Sequence, residues 1–156
     1  LAPTHRWISA GEATSDVQVL TADEKEDTAP TGMDLKWWHK TKPGDSYARV
    51  IAREESRVSC FNTIRLSGDL PACTLPSVMD QIQHWGERRK LTYREWKRLG
   101  SFPDDYHAKT DKIGKYMIGM SVPPKMTEQV ARAVCEQWLN VNYSELSNDN
   151  QAQNPH

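Results

Sequence analysis

The clearest hydrophobic periodicity lies near the end of the chain. Val130, Val134 and Trp138 recur in steps of four, with Ala131, Cys135 and Leu139 beside them. That spacing predicts an amphipathic helix over Thr127–Leu139, with Cys135 a core residue rather than a nucleophile. Near the start, Ala10, Ala13 and Val17 share one helical face within Trp7–Val19, and Ser9 and Glu12 have the spacing of a capping box. A second box, Thr92-x-x-Glu95, opens a short helix over Tyr93–Leu99. Gly100 is placed there as a left-handed stop, and Pro103 prevents extension. Short strands are predicted at Val50-Ile51, Val58–Leu66 and Ala72–Leu75, with Phe61 and Ile64 as core anchors and Arg65 and Ser67 turned toward a groove. Ser77–Trp85 reads as one or two helical turns with Val78, Ile82 and Trp85 on one face. Ala22–Gly32 is an acidic, Pro/Gly-punctuated loop, Pro43-Gly44 and Gly68-Asp69 are turns, Asp111–Met117 is a linker, and Asn140–His156 is a frayed polar tail. The fold class expected is α+β.

Composition tempers this picture. A length of 156 residues suits one domain, but Leu, Ile, Val and Phe together make up only 27 of them. Such a share is a warning of disorder when net charge is high. Net charge is only -1 and six tryptophans are present, so the chain reads as loop-rich, with a core that a partner would complete. Charge is unevenly placed. Glu12–Asp34 carries seven acids and one base, whereas Lys36–Arg98 carries thirteen bases and seven acids. A basic middle suits a polyanion such as nucleic acid, although a solvated mixed-charge surface has the same composition. Within it, Trp37 and Trp38 sit among lysines. Either they contact a nucleic-acid backbone, or one of them is core and the lysines are its rim. Cys60, Cys73 and Cys135 have neither zinc-ligand nor disulfide-framework spacing, and His84 and His107 form no metal pattern. A reduced compartment fits, and no segment is apolar enough to span a membrane.

Two blocks carry a family resemblance. Arg89-x-Leu91-Thr92-x-Arg94-Glu95-x-x-Arg98-Leu99-x-x-Phe102-Pro103-Asp104-x-Tyr106 resembles the ninth motif of DNA cytosine-5 methyltransferases. Ile118-Gly119-Met120-Ser121-Val122-Pro123-Pro124 follows in the expected order and resembles the tenth, with Met120 where the family usually has Asn. Pro71-Ala72-Cys73-Thr74-Leu75 is similar to the Pro-x-x-Thr-Leu segment of the family's target recognition domain. The resemblance implies double-stranded DNA as partner and S-adenosyl-L-methionine as cofactor. It implies DNA contacts at Thr74 and Leu75; strand alternation adds Arg65, and the basic charge around the ninth-motif block adds Arg88 and Arg89, as candidate DNA-binding residues. It places Met120, Ser121 and Val122 at the border of the cofactor. Arg49, Arg53, Arg57, Asn62 and Arg65 remain unranked candidates for base reading, since Arg pairs with guanine and Asn with adenine in the major groove.

The family's catalytic strings, Pro-Cys-Gln, Glu-Asn-Val and Phe-x-Gly-x-Gly, do not occur in these 156 residues. No catalytic residue and no metal ligand is therefore expected in this chain. The resemblance divides it into a connecting segment (1–35), a target recognition domain with the ninth motif (36–110), the tenth motif with a returning helix (111–140) and a flexible tail (141–156). That helix would complete the Rossmann-like domain of a whole enzyme. The function implied is the carboxy-terminal portion of a DNA (cytosine-5-)-methyltransferase, inactive alone and partnered by an amino-terminal catalytic half. The alternative is a non-catalytic DNA-binding or regulatory module. Either would act in the cytoplasm of a bacterial or phage-infected cell.

Overall fold

A computed structural model describes residues 6–17, 19–59, 62–78 and 81–139. It divides into two units, 1–121 and 122–156. Among the described residues the first is mostly helical with one very short sheet, and the expected run of strands is not found there. Its helices are α1 (Ala10–Ala13), α2 (Ala22–Asp27), α3 (Gly32–Trp37), α4 (Tyr47–Glu55), α5 (Tyr93–Leu99) and α6 (Asp111–Met120). A 3-10 turn, Trp38–Lys40, continues α3. The strands β1 (Ile64–Arg65) and β2 (Ile82–Gln83) pair in parallel, Ile64 opposite Ile82 and Arg65 opposite Gln83. Single bridges from Ser46 to Ile64 and from Gln83 to Lys90 extend the ladder by one residue on each side.

Several expectations are corrected by local chemistry. Val50-Ile51 is helical, not extended. Ser46 Oγ caps Arg49 N, and Tyr47, Val50 and Ile51 fall at i, i+3 and i+4, all fully buried. The acidic stretch after Thr21 is not a loop throughout. Thr21 and Glu24 form a capping box that starts α2, and Thr31 N donates to Asp34 at the start of α3. The Ser9 cap forms, but Glu12 turns its carboxylate to Arg6, and α1 stops at Ala13. Ile82–Gln83 is a strand where helical turns were expected, and Ala72–Leu75 is irregular. The linker over Asp111–Met117 is instead the body of α6, capped by Thr110. Phe61 and the tail from Asn140 lie outside the described residues.

Two apolar clusters hold the first unit. Trp37, Trp38, Tyr47, Val50 and Ile51 pack together, and the Tyr47 hydroxyl donates to the buried Asp34 carboxylate at 3.1 Å. Both tryptophans are thus core residues. Lys36 and Lys40 lie over the Trp37 ring while pairing with Glu55 and Glu54. The second cluster joins Ala10, Leu66, Ile82, Leu91, Tyr93, Trp96 and Ile118. It joins α1, the residue after β1, β2, α5 and α6, while α3 and α4 pack in the first cluster.

In the second unit, Pro123 is the N-cap and Pro124 the first residue of α7 (Pro124–Trp138). Proline fits this place because its missing N–H would have no partner there. Val130, Val134 and Trp138 share one face of α7, and no residue of this helix is buried. Cys135 is half-buried rather than a core residue.

Candidate nucleic-acid interface

The best-organised polar group is built on the start of α5. Thr92 and Glu95 form the expected capping box, with Thr92 N donating to Glu95 Oε2 at 2.7 Å and Glu95 N to Thr92 Oγ1 at 3.1 Å. The same carboxylate receives Arg89 Nη1 and Nη2, each at 2.8 Å. Both partners are buried, Glu95 at 1% exposure and Arg89 at 7%. Arg89 Nε donates further to Glu87. The helix ends at Leu99, but Gly100 is not left-handed. Its φ is -81°, and Ser101 takes the positive φ of 57°. Gly100 serves close packing instead, since a Cβ there would stand 2.9 Å from Ile118 Cγ2.

His84 borders this group. Its Nδ1 accepts from Gly86 N and Glu87 N at 3.1 and 2.9 Å, its ring stacks on Trp85, and its Nε2 lies 3.8 Å from Glu95. Burial, reinforced by the nearby Arg89 charge, pushes its pKa down to about 4. An unfolded chain would take up a proton near pH 6.5, before the folded one does. Acidification from pH 6.5 toward 4 is therefore expected to remove stability, up to about 3 kcal/mol from this group. Urea midpoints measured across that range should fall in the wild type. In His84→Gln they should stay nearly level until the carboxylates begin to protonate.

Much of the basic charge in the middle of the chain is matched internally. Arg94 pairs with Glu24 and donates to Val19 O, and Arg98 pairs with Asp16 and Asp104. The acidic amino-terminal stretch is thus an internal counterpart of α5. Arg65 behaves similarly. Its Cζ lies 3.5 Å from the Trp38 ring centroid, and it donates to the carbonyls of Trp38, Thr41 and Trp85. Of the candidate DNA-binding residues, Arg65 and Arg89 direct their guanidinium groups inward. Arg88 and Thr74 are exposed and Leu75 is half-buried. Arg88 Nη1 lies 3.4 Å from His39 Nε2.

Helix α6 carries the second motif block as far as its C-cap, Ser121. Its inner face is seated on α5 and on the loop after it. Gly114 lies under the Tyr93 ring, the Tyr93 hydroxyl donates to Tyr106 O, and Lys115 Nζ donates to Leu91 O at 2.8 Å. Burial pushes the Lys115 pKa down. Ile118 enters the core, and Gly119 meets the Pro76–Ser77 peptide. Neither the role of Lys115 nor the tie between Arg94 and Glu24 was legible beforehand; only the capping boxes that position them are local signals. Met120 is exposed, and the Ser121 hydroxyl donates back to Met117 O. Among the described residues, no three His, Cys, Asp or Glu side chains are grouped to hold a metal, and no helix is long and apolar enough to cross a membrane.

Comparison with known proteins gives these features a setting. A family model described as C-5 cytosine-specific DNA methylase matches residues 12–136. The type II methyltransferase M1.HphI of Haemophilus parahaemolyticus is 36% identical over 72 residues, 46% of this chain and 19% of that protein. M.BbvI of Brevibacillus brevis, another type II methyltransferase, is 39% identical over 66 residues, covering 41% of this chain and 17% of its own. M.AquIB of a Picosynechococcus species, also named a type II methyltransferase, is 28% identical over 138 residues, 81% of this chain and 96% of that protein. The match thus spans about a fifth of the length of the first two and nearly all of the third. No solved structure matches the chain.

Proposed function

We propose, from the premise that the chain belongs to the C-5 cytosine-specific DNA methylase family, that it is the carboxy-terminal portion of a DNA (cytosine-5-)-methyltransferase. It would grip DNA and position a target cytosine for methyl transfer from S-adenosylmethionine. The observation that carries this is the family match across both motif blocks, in a chain that holds none of the three catalytic strings. That a type II methyltransferase is covered over 96% of its length by this chain supports a separate polypeptide of this size.

The residues fit only part of a cofactor site. Met120 is an exposed thioether, Val122 is exposed, and the Ser121 hydroxyl is already donated to the helix. The chain's own contribution is therefore target recognition. The cofactor supplies the methyl group when bound. The nucleophile belongs to the amino-terminal half. DNA contact falls to the exposed Thr74 and Arg88 with Leu75 beside them. Arg65 and Arg89 contribute by holding the surface that displays them. The stripe Val130, Val134 and Trp138 is the face of α7 that would meet the catalytic half.

Methyl transfer from labelled S-adenosylmethionine to mixed-sequence DNA tests this. Activity is expected only when the chain is combined with an amino-terminal half from a relative, and Val134→Lys should abolish it while the isolated chain stays folded. Activity from the chain alone would overturn the assignment. A non-catalytic DNA-binding module predicts salt-sensitive binding without complementation, and unfolding of the Val134→Lys chain.

A further inference from the structure

We infer that Gly119 is a positioning residue for DNA reading, because its bare backbone sets the seat of the segment that displays Thr74 and Leu75. The inference rests on the proposed contact of those two residues with DNA. Residues 71–77 form no regular element, and among the described residues none of their backbone groups is paired with another backbone group. A segment without a ladder takes its position from packing alone. Ala72, Cys73 and Leu75 lie partly against the core, which leaves Thr74 outward between two anchored neighbours. The carboxy-terminal end of the segment rests on α6. A Cβ at Gly119 would press against the Pro76 carbonyl oxygen and stand 2.6 Å from Ser77 N, closer than the 3.0 Å that real side chains respect. The atoms in the way are backbone, so the segment itself must move.

The position of α6 is in turn fixed by the ninth-motif block. Lys115 is bonded to Leu91 O, Gly114 lies against Tyr93, and Ile118 sits beside Gly100. Thr74 is therefore keyed to α5 through α6. A shift of several tenths of an ångström matters at such a place, since a recognition contact works only when held to about 0.5 Å. Contacts to phosphate tolerate more, because they act largely through charge. Helix formation cannot account for a loss, since alanine is a better helix former than glycine.

The test uses the full chain and a randomised double-stranded DNA pool. Wild type is expected to enrich a defined sequence. Gly119→Ala should lose that enrichment about tenfold while keeping salt-sensitive retention of the whole pool. Tyr47→Phe is the stability control. It removes the hydrogen bond to Asp34 in the other apolar cluster, away from α6 and residues 71–77, and should keep the enriched sequence even if it melts earlier. Pro76→Gly adds no bulk and loosens the same segment, so it should lose enrichment with little change in melting. This variant decides the matter if Gly119→Ala does not fold. Unchanged enrichment in Gly119→Ala or Pro76→Gly, or equal loss in Tyr47→Phe, overturns the role of Gly119 and leaves the proposed function standing. Failure of the wild type to enrich any sequence overturns both.

Discussion

Glu95→Ala is expected to destabilise the first unit by about 3–5 kcal/mol, most of the margin that a domain of this size commonly has. The carboxylate has two functions at once. It closes the α5 capping box on Thr92 N, a contribution of about 1 kcal/mol. It also neutralises Arg89, which is buried to 7% exposure and receives no second buried acid, since the other carboxylate it meets, Glu87, is exposed. Removing Glu95 leaves a charged guanidinium in the interior with half of its hydrogen bonds unmet. The His84 ring alongside cannot replace the lost carboxylate, because imidazole carries no negative charge. Urea unfolding read by tryptophan fluorescence measures the loss, with Trp96 of the same helix fully buried as a reporter. Glu95→Gln should fall between wild type and Glu95→Ala, since the amide keeps a cap acceptor and loses the charge. A paired change to Arg89→Met with Glu95→Leu should recover much of the loss, because an apolar pair of similar volume avoids the cost of two buried charges. A Glu95→Ala midpoint within about 1 kcal/mol of wild type would show that water reaches Arg89 freely, and the buried pair would lose its structural meaning.

How much of this was readable beforehand follows the range of the interactions. The Thr92–Glu95 box was legible because cap and partner are three residues apart and need nothing else. Thr21 and Glu24 present the same signal and do start a helix, but acidic residues and nearby Pro30 and Gly32 gave the stretch the composition of a loop. Val50-Ile51 looked extended because β-branched residues favour strands. The deciding features were the Ser46 cap and the burial of Tyr47 on the same face, and burial is set by distant partners such as Asp34. The helix of the tenth-motif block was hidden within Asp111–Met117 by its lysines, one of which is buried on Leu91 O. The charge asymmetry was legible and its interpretation was not. A basic stretch and an acidic stretch read as two surfaces until Arg94 is seen on Glu24 and Arg98 on Asp16. Of the site, Thr74 was singled out by the resemblance alone, and its exposure between the partly buried Cys73 and Leu75 is set by packing. The close approach of Gly119 to Pro76, 43 residues earlier in the chain, is a contact that no local pattern encodes.

Arg65 poses that problem most sharply, and its replacement is the second large effect expected. Strand alternation turned its side chain toward a groove, where arginine is the favoured reader of guanine. The side chain instead lies on the Trp38 ring and donates to three carbonyls, those of Trp38 and Thr41 on one segment and Trp85 on another. A planar guanidinium suits this because it stacks and donates in its plane together, which an ammonium cannot do. Arg65→Ala should therefore cost about 3 kcal/mol, combining charge-assisted hydrogen bonds with a cation–π contact, and lower the melting temperature by roughly 10 °C. Arg65→Lys should recover only a minor part, since one point donor cannot serve both segments. Selection from a randomised duplex pool, run below the lowered melting temperature, separates this role from base reading. If Arg65 holds the scaffold, Arg65→Lys enriches the wild-type sequence with weaker retention. If it reads a base, the enriched sequence changes at one position while melting stays within about 2 °C of wild type, an outcome that would return Arg65 to the groove and break the internal tie described above.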